Sequence, residues 1–415
     1  MQRECPLSDQ SNSACVRREG LTAPGLVVLA TAAGLSVANV YLAQPMLDLI
    51  ARDLDVPVAG LGRVVAATQG GYALGLVLLV PLGDMVGRRA LIILQCLASV
   101  AALIAVASAT SAIMLLVAMA FMGFVAVVAQ QLVAAAAHLA TPASRGTAVG
   151  AVTSGIVVGI LAARFVAGIV ADAGGWRAAY AGSATLMLLI SFFTASILRR
   201  DAVPVRQRSY GKLLRAIPAL YLKDPALRIR GMIALLFFGA FSSLWTPLVL
   251  PLSAPPYDYT HSQVGMVGLV GLAGVLAASR AGKLADRGLG ERVSTGALVL
   301  LVLSWIPIAL LPHSLPLLLF GILLLDLAVQ AVHVSNQSAI VARYPDAGSS
   351  LIAGYMIFYS IGSAAGALLA TAAYARWGWA GSSAVGMAFS TAALLTWCAY
   401  RSRGAPTARG SDRTP

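Results

Sequence analysis

Charged side chains are scarce in this sequence of 415 residues, of which Asp, Glu, Lys and Arg make up only 11%. Soluble globular proteins carry about 25% charged residues, so the shortage excludes a soluble protein. Hydrophobic residues make up 59%, in twelve apolar runs of about 20 residues, the length of a helix that crosses a bilayer core. We number these predicted spans 1 to 12 in chain order: 25–48, 62–82, 90–109, 112–139, 147–171, 177–198, 231–252, 263–282, 293–312, 315–341, 349–373 and 379–400.

Cysteine and histidine are also scarce, with four residues of each. No cysteine falls in a predicted external loop, so no disulfide framework is indicated, and the histidines are too scattered to form a metal site. A glycine-rich phosphate loop is missing as well, which argues against direct ATP coupling. The sequence therefore predicts no metal and no cofactor. The residues concerned are Cys5, Cys15, Cys96, Cys398, His138, His261, His313 and His333.

The chain does contain an internal repeat, because several pairs of residues recur at an interval of 202 or 203. The pairs are Asp84 with Asp286, Pro142 with Pro345, Gly159 with Gly362, and Gly175-Trp176 with Gly378-Trp379. A repeated half-chain predicts an all-α membrane protein with 12 transmembrane helices in two pseudo-symmetric six-helix bundles, with the substrate site between them. The predicted segments are a tail at 1–21, bundles at 22–198 and 231–400, a basic linker at 199–230 and a tail at 401–415.

The net charge of +13 follows membrane topology and does not indicate a nucleic-acid partner. If both termini are cytoplasmic, 24 of the 29 Lys and Arg residues lie on the cytoplasmic side, nine of them in the linker 199–230. Cytoplasmic loops of membrane proteins carry such an excess. We therefore expect a multi-pass protein of the plasma (inner) membrane with cytoplasmic termini, whose linker meets anionic lipid headgroups. Residues 1–20 lack the pattern of a signal peptide, so span 1 is expected to be retained.

A short charged turn, VPLGDMVGRR at Val80–Arg89, joins spans 2 and 3, and GKLADRGLGER at Gly282–Arg292 repeats it between spans 8 and 9. The turn resembles the loop motif of the major facilitator superfamily, Gly-x-x-x-Asp-(Arg/Lys)-x-Gly-Arg-(Arg/Lys). The first copy departs from the motif at Val80 and Met85. The matching residues are Asp84, Gly87, Arg88 and Arg89 in the first copy and Gly282, Asp286 and Arg287 in the second.

This resemblance covers about residues 22–400 and implies a transporter in which the turn forms a charge latch at the inner gate. Asp84 would lie near a helix C-terminus, where the helix dipole disfavours an anion unless a cation compensates. Arg88 and Arg89 supply that compensation in the latch hypothesis. In the alternative, these two arginines only anchor the topology.

Span 5, which reads GIVVGILAARFVAG, resembles the corresponding motif of drug/proton antiporters, Gly-x-x-x-Gly-Pro-x-x-Gly-Gly. Gly155 and Gly159 give it a face of small residues, but Ala163 and Arg164 replace the Gly-Pro pair. A buried cation costs at least ~2.5 kcal/mol at mid-depth, so Arg164 should face the protein interior. Two hypotheses remain open: Arg164 forms an ion pair with Asp48, or it contacts an anionic or polar substrate.

Other polar side chains inside the spans are candidates for lining a substrate cavity, since lipid contact would leave them without hydrogen bonds. Each of them is also compatible with hydrogen bonds that only hold the helices together. The cavity candidates, with Arg164, are Tyr41, Gln44, Gln69, Gln130, Trp245, Gln330 and Tyr359.

Asp326 is the one acidic residue of the sequence that falls deep inside a predicted span. It lies in span 10 with Gln330, His333 and Gln337 at helical spacing, which gives this span one polar face. A carboxyl group at mid-depth favours the neutral form, so Asp326 is the predicted proton carrier and His333 the next candidate. In the alternative, Asp326 is permanently protonated and only holds a neighbouring helix.

The sequence favours a proton-coupled secondary active transporter, resembling the drug/proton antiporter branch, that exports a small organic molecule by alternating access. The alternative is a proton symporter that imports a small organic anion, which Arg164 makes plausible. A membrane-embedded enzyme would need a catalytic cluster, and the sequence shows none. A receptor or lipid scaffold would not explain a charged residue inside each half. We expect a monomer whose partners are the substrate, protons and the bilayer.

Overall fold

The computed structural model describes residues 21–83, 85–141, 144–198, 210–271, 280, 284–344 and 348–402. These residues are mostly helical and contain no β-strand. The helices of the membrane domain are Ala23–Tyr41, Leu47–Asp53, Gly62–Leu82, Arg88–Ala107, Ala112–Ala126, Val128–Leu139, Arg145–Ile197, Pro225–Trp245, Val249–Leu252, His261–Val267, Gly290–Ala309, Leu315–Arg343 and Gly348–Ser402.

Nine helical segments of the described chain are long and apolar enough to cross a membrane. Two of them lie in the helices Arg145–Ile197 and Gly348–Ser402, which have 53 and 55 residues, enough for two spans each. They supply spans 5 and 6 and spans 11 and 12, so the nine segments hold eleven of the predicted spans. Span 8, predicted from residue 263, starts within the helix His261–Val267, and residues 272–279 and 281–283 of this span lie outside the described part.

A glycine in the left-handed region of the backbone turns the chain in each double-length helix. Gly175 has a φ of 77° and Gly378 a φ of 60°, values that residues with a side chain rarely adopt. After the second turn Gly381 lies against Ala373, so the chain folds back on itself. The repeated Gly-Trp pair of the sequence thus marks the same turn in both halves.

Spans 1 and 7, which are equivalent in the two halves, are interrupted helices. Pro247 predicts the break in span 7 from the sequence, and this prediction is confirmed, whereas span 1 is predicted to be continuous. The first breaks after Tyr41 and resumes at Leu47, and the turn between them contains Pro45. The second breaks after Trp245, with Pro247 in the gap. Proline has no backbone N–H to continue a helical hydrogen-bond ladder, which explains why the breaks occur there.

Glycines bring equivalent pairs of helices into backbone contact within each half. Gly159 of span 5 packs on Gly34 of span 1, and Gly366 of span 11 packs on Gly239 of span 7. A Cβ on Gly34, Gly159 or Gly366 would overlap the backbone of the opposite helix, and one on Gly239 would overlap the ring of Phe389 in span 12. The small-residue face predicted for span 5 is therefore the contact between spans 1 and 5, and spans 7 and 11 repeat it.

The two halves meet through spans 2 and 11 and through spans 5 and 8. Gly62 contacts the carbonyl group of Ala367, and Gly265 contacts the carbonyl group of Arg164. Both contacts lie toward the end of the bundle that carries Asp48, Asp172 and His261, which we call the closed face. The halves are in direct backbone contact at this end.

The opposite face of the bundle carries the second half's own ion pair. Asp224 caps the helix that starts at Pro225, six residues before the predicted span 7, by accepting a hydrogen bond from the Ala226 amide at 2.8 Å. Arg343 and Tyr344 also donate to its carboxylate, at 2.6 and 2.8 Å. Partial burial raises the pKa of Asp224, but these bonds outweigh burial and lower it below the usual range.

Candidate functional site

Arg164 is the central feature of the candidate site. Its side chain is 3% exposed and comes from span 5. Its Nε donates a hydrogen bond to Oε1 of Gln44 at 2.9 Å, and the break in span 1 places Gln44 there. The guanidinium carbon lies 3.9 Å from the ring centre of Trp245, beside the break in span 7, and 5.5 and 5.6 Å from those of Tyr41 and Phe241. Such distances allow cation–π attraction. Aromatic rings from both halves therefore surround one buried cation.

A second nitrogen of the Arg164 guanidinium has no partner within the described part of the chain. This nitrogen, Nη2, is buried. A buried guanidinium normally satisfies its donors, because an unpaired polar group in a dry interior costs about 1–3 kcal/mol. The unused donors identify a position where an acceptor from outside the described chain would be stabilised.

Asp326 faces Arg164 from the other half. Its side chain is 6% exposed, as the sequence predicted, and a Cβ on Gly271 of span 8 would lie 2.5 Å from its Oδ2. The charges of Asp326 and Arg164 interact, yet no direct ion pair joins them in the described structure, and Oδ1 is buried without a partner. A carboxyl group and a guanidinium thus share one interior site, each with an unsatisfied atom.

The predicted alternative of an ion pair between Asp48 and Arg164 is wrong for this structure. Asp48 pairs with Arg52 on the same helix and with His261 of the second half. Arg164 instead bonds to Gln44, four residues earlier in span 1. The break in span 1 separates these two positions, so the residue that reaches Arg164 is an uncharged amide.

Tyr41 of the first half and Tyr359 of the second are joined by a hydrogen bond between their hydroxyl groups. Gln69 is 3% exposed and its Oε1 has no partner in the described structure, so it is another unsatisfied acceptor in the interior. Gln130 donates to the hydroxyl group of Tyr72 at 3.4 Å. That bond lies within the first half, as the interpretation of Gln130 as a packing residue requires.

His333 and Gln330 lie on the same helix as Asp326, Leu315–Arg343, and both are half-buried. The Nδ1 atom of His333 is 3.1 Å from the hydroxyl group of Tyr355, and its Nε2 is 3.0 Å from Nε2 of Gln337. Both ring nitrogens therefore have partners inside the second half. No hydrogen bond of Gln330 is present in the described part of the chain, which leaves this amide free to line a cavity.

The charged turn is described only in part. Asp84 and Gly282 and the side chain of Asp286 lie outside the described residues. Arg89 donates to the carbonyl oxygen of Ala195 at 3.0 Å and so ties span 3 to the end of span 6. Gly87 precedes the helix that begins at Arg88, and Arg287 is exposed in the second copy. These positions agree with a structural turn and leave the latch hypothesis untested.

A cluster on the closed face was not predicted from the sequence. The ring of His261 lies between two carboxylates, with Nδ1 2.9 Å from Asp172 and Nε2 3.1 Å from Asp48. The backbone amides of His261 and Ser262 also donate to Asp172, at 3.0 and 2.8 Å. These residues are far apart in sequence and show no spacing pattern, so no signal in the sequence connects them.

The family profile of the Major Facilitator Superfamily matches residues 29–311 and 257–415. The chain belongs to the Major Facilitator Superfamily. Within this superfamily, transporter YgaY of Escherichia coli (strain K12) is 42% identical over 378 residues, which cover 90% of this chain and 95% of that protein. The protein is therefore a multi-pass membrane transporter of the Major Facilitator Superfamily.

More distant members of the Major Facilitator Superfamily carry more specific names. The multidrug resistance protein MdtG of Rahnella sp. (strain Y9602) is 28% identical over 240 residues, covering 56% of this chain and 57% of that protein. The crystal structure of the human organic anion transporter MFSD10 (TETRAN) superposes with a TM-score of 0.68 over 90% of this chain and 98% of that chain, at 19% identity. At that identity the second likeness shows the fold alone.

Proposed function

We propose that this protein is a proton-coupled secondary active transporter that exports a small organic molecule across the plasma (inner) membrane. Its termini are cytoplasmic in this proposal, so the closed face is external. The halves rock about the central site and open it to one side at a time. Asp326 carries the proton, and Arg164 with its aromatic neighbours binds the substrate.

The observation that carries the proposal is the pair of unsatisfied groups at the interface between the halves. Arg164 belongs to the first half and Asp326 to the second, and each is nearly fully buried. A buried carboxyl group without an ion-pair partner is stable when protonated, and water entering an opened cavity favours the charged form. Movement of the halves therefore changes the proton affinity of Asp326, which is what coupling requires.

The test is transport by purified protein in liposomes, with a substrate found by screening an efflux-deficient host. Asp326→Asn mimics the protonated acid, so we expect counterflow exchange to persist while ΔpH-driven accumulation is lost. Asp258→Asn is the matched control, because Asp258 is exposed in a loop. Accumulation by Asp326→Asn at the wild-type rate would remove Asp326 as the proton carrier and leave His333 as the next candidate.

The export direction is supported by similarity to the multidrug resistance protein MdtG, which covers about half of each chain. A second candidate function is proton symport that imports a small organic anion. Arg164 favours it, because a guanidinium fork with unused donors fits a planar carboxylate. The two functions differ in the same liposome assay: a ΔpH drives the substrate against proton flow in antiport and with it in symport.

A further inference from the structure

The closed face is held by groups from both halves. Asp48 of span 1 and Asp172 of span 5 belong to the first half, whereas His261, just before span 8, belongs to the second. The histidine side chain is only 13% exposed. Its ring touches one carboxylate with each nitrogen, so a single side chain joins two helices of one half to the other half.

The geometry defines the protonation state that makes this junction strong. A neutral imidazole has one N–H donor, and its other nitrogen accepts. Facing two carboxylates, the neutral ring would point a lone pair at one of them. The charged ring donates to both, and charge-assisted hydrogen bonds are about twice as strong as neutral ones.

We propose that His261 is the residue that latches the closed face shut during the transport cycle, and that it does so in its protonated form. The proposal rests on alternating access, since the face must open once per cycle. Opening it withdraws His261 from both carboxylates. In the open state His261 is solvated or loses its proton. Binding a proton again favours closure.

The other charged groups around the ring also favour the protonated form of His261. Arg52 bonds to Asp48, so the two carboxylates, Arg52 and a protonated His261 together carry no net charge. On the same face Arg177 pairs with Asp53, and this pair adds no net charge to the cluster. The side chain of Arg164 packs on Gly268, deeper in span 8, and is held by Gln44.

The direction of the pH dependence follows from linkage. The hydrogen bond with Asp48 raises the pKa of His261 in the closed structure, whereas an opened face returns it to about 6.5. Protonation therefore stabilises closure fully below about pH 6.5. That stabilisation is lost as the pH rises through the raised value of the closed state.

The experiment measures the distance between spin labels on the closed face by double electron–electron resonance in nanodiscs. Labels at Thr110→Cys and Ala375→Cys, both exposed and in different halves, are placed in full-length protein whose native cysteines are replaced by serine. In the labelled protein that keeps His261, we expect the population with the short distance to fall at least about threefold between pH 5.5 and pH 8.5.

Three variants make the result specific to His261. His261→Arg keeps a charge at all pH values and should stay closed at both, whereas His261→Gln should be open at both. His313→Gln is the matched control, because His313 is exposed in the described structure, and it should behave like the wild type. A pH response that persists in His261→Gln, or a wild type that does not respond, overturns the proposal.

Asp326→Asn separates this inference from the proposed function. If His261 is the latch, this variant keeps the wild-type change in distance with pH, because Asp326 lies on another helix and away from the closed face. Loss of the distance change in Asp326→Asn but not in His261→Gln would assign the response to the proton carrier and contradict the latch.

Discussion

The two interfaces between the halves share the same backbone contact but differ in their side chains. Gly62 contacts the carbonyl group of Ala367 in one interface, and Gly265 contacts that of Arg164 in the other. Each residue of the second pair is 203 positions from its equivalent in the first. The repeat therefore reproduces the backbone contact, while a methyl group in one interface is replaced by a guanidinium in the other.

The neighbouring positions differ in the same way. Thr371 accepts a hydrogen bond from the Gly62 amide at 3.2 Å, whereas its equivalent, Gly168, leaves room for the backbone of His261. The interface of spans 2 and 11 is thus an uncharged contact, and that of spans 5 and 8 holds both Arg164 and the latch. Both copies of the repeat are closely packed, whereas Arg164 and the latch lie in the interface of spans 5 and 8.

Replacing Arg164 should lower transport more than any other change in the two interfaces. Arg164→Gln should lower transport at low substrate concentration about 100-fold and Arg164→Lys about 10-fold, since hydrogen bonds to charged groups contribute about 1.5–3 kcal/mol and lysine keeps the charge without the fork. Liposome uptake measures the change, and thermal unfolding confirms that the variants fold. Thr371→Ala should change transport less than about twofold. Similar losses in both interfaces would contradict the asymmetry.

The glycines test what the two interfaces share. A Cβ on Gly62 or on Gly265 would overlap the facing carbonyl oxygen, so the closed face should form poorly in Gly62→Ala and in Gly265→Ala. We expect transport losses of about 10-fold that agree within about threefold, because overpacking costs about 1–3 kcal/mol. Gly70→Ala is the control, since nothing lies within 4 Å of its Cβ position. A loss confined to Gly265→Ala would show that only one contact matters.

The smallest expected effect comes from the single hydrogen bond of the uncharged interface. Thr371→Val removes the acceptor for the Gly62 amide and should destabilise the protein by about 1 kcal/mol, read as a thermal midpoint a few degrees lower. Thr371→Ser keeps the hydroxyl group and should restore most of the difference. Equal midpoints for valine and wild type would show that water or another group satisfies the amide.

Much of the fold could be predicted because it depends on local sequence. A helix in lipid must satisfy its own backbone hydrogen bonds, so apolar length alone locates the spans. The repeat then placed Gly175 and Gly378 at equivalent turns, and it paired Gly159 with Gly362, both of which lie in tight helix contacts. Pro247 also indicated the break in span 7, whereas the break in span 1 was missed, although Pro45 marks it.

Most residues around Arg164 were named as candidates from the sequence, but Phe241 and the contacts among these residues were not. Burial of Arg164 and Asp326 followed from the cost of a charge inside a membrane. The interaction between these two residues across the halves did not follow, because hydropathy indicates how deep a residue lies in the membrane but not which way it faces around the helix axis. For the same reason Asp48 seemed within reach of Arg164, whereas the break in span 1 brings Gln44 there.

The sequence by itself determined the helices, their number, the two-fold repeat and the few ionisable residues that the membrane interior contains, since all of these follow from composition and spacing along the chain. The tertiary structure alone decided which of these residues meet. His261, Asp48 and Asp172 come together only because spans 1, 5 and 8 end at one face. A contact between helices distant in sequence depends on their packing, and packing is fixed by the whole bundle.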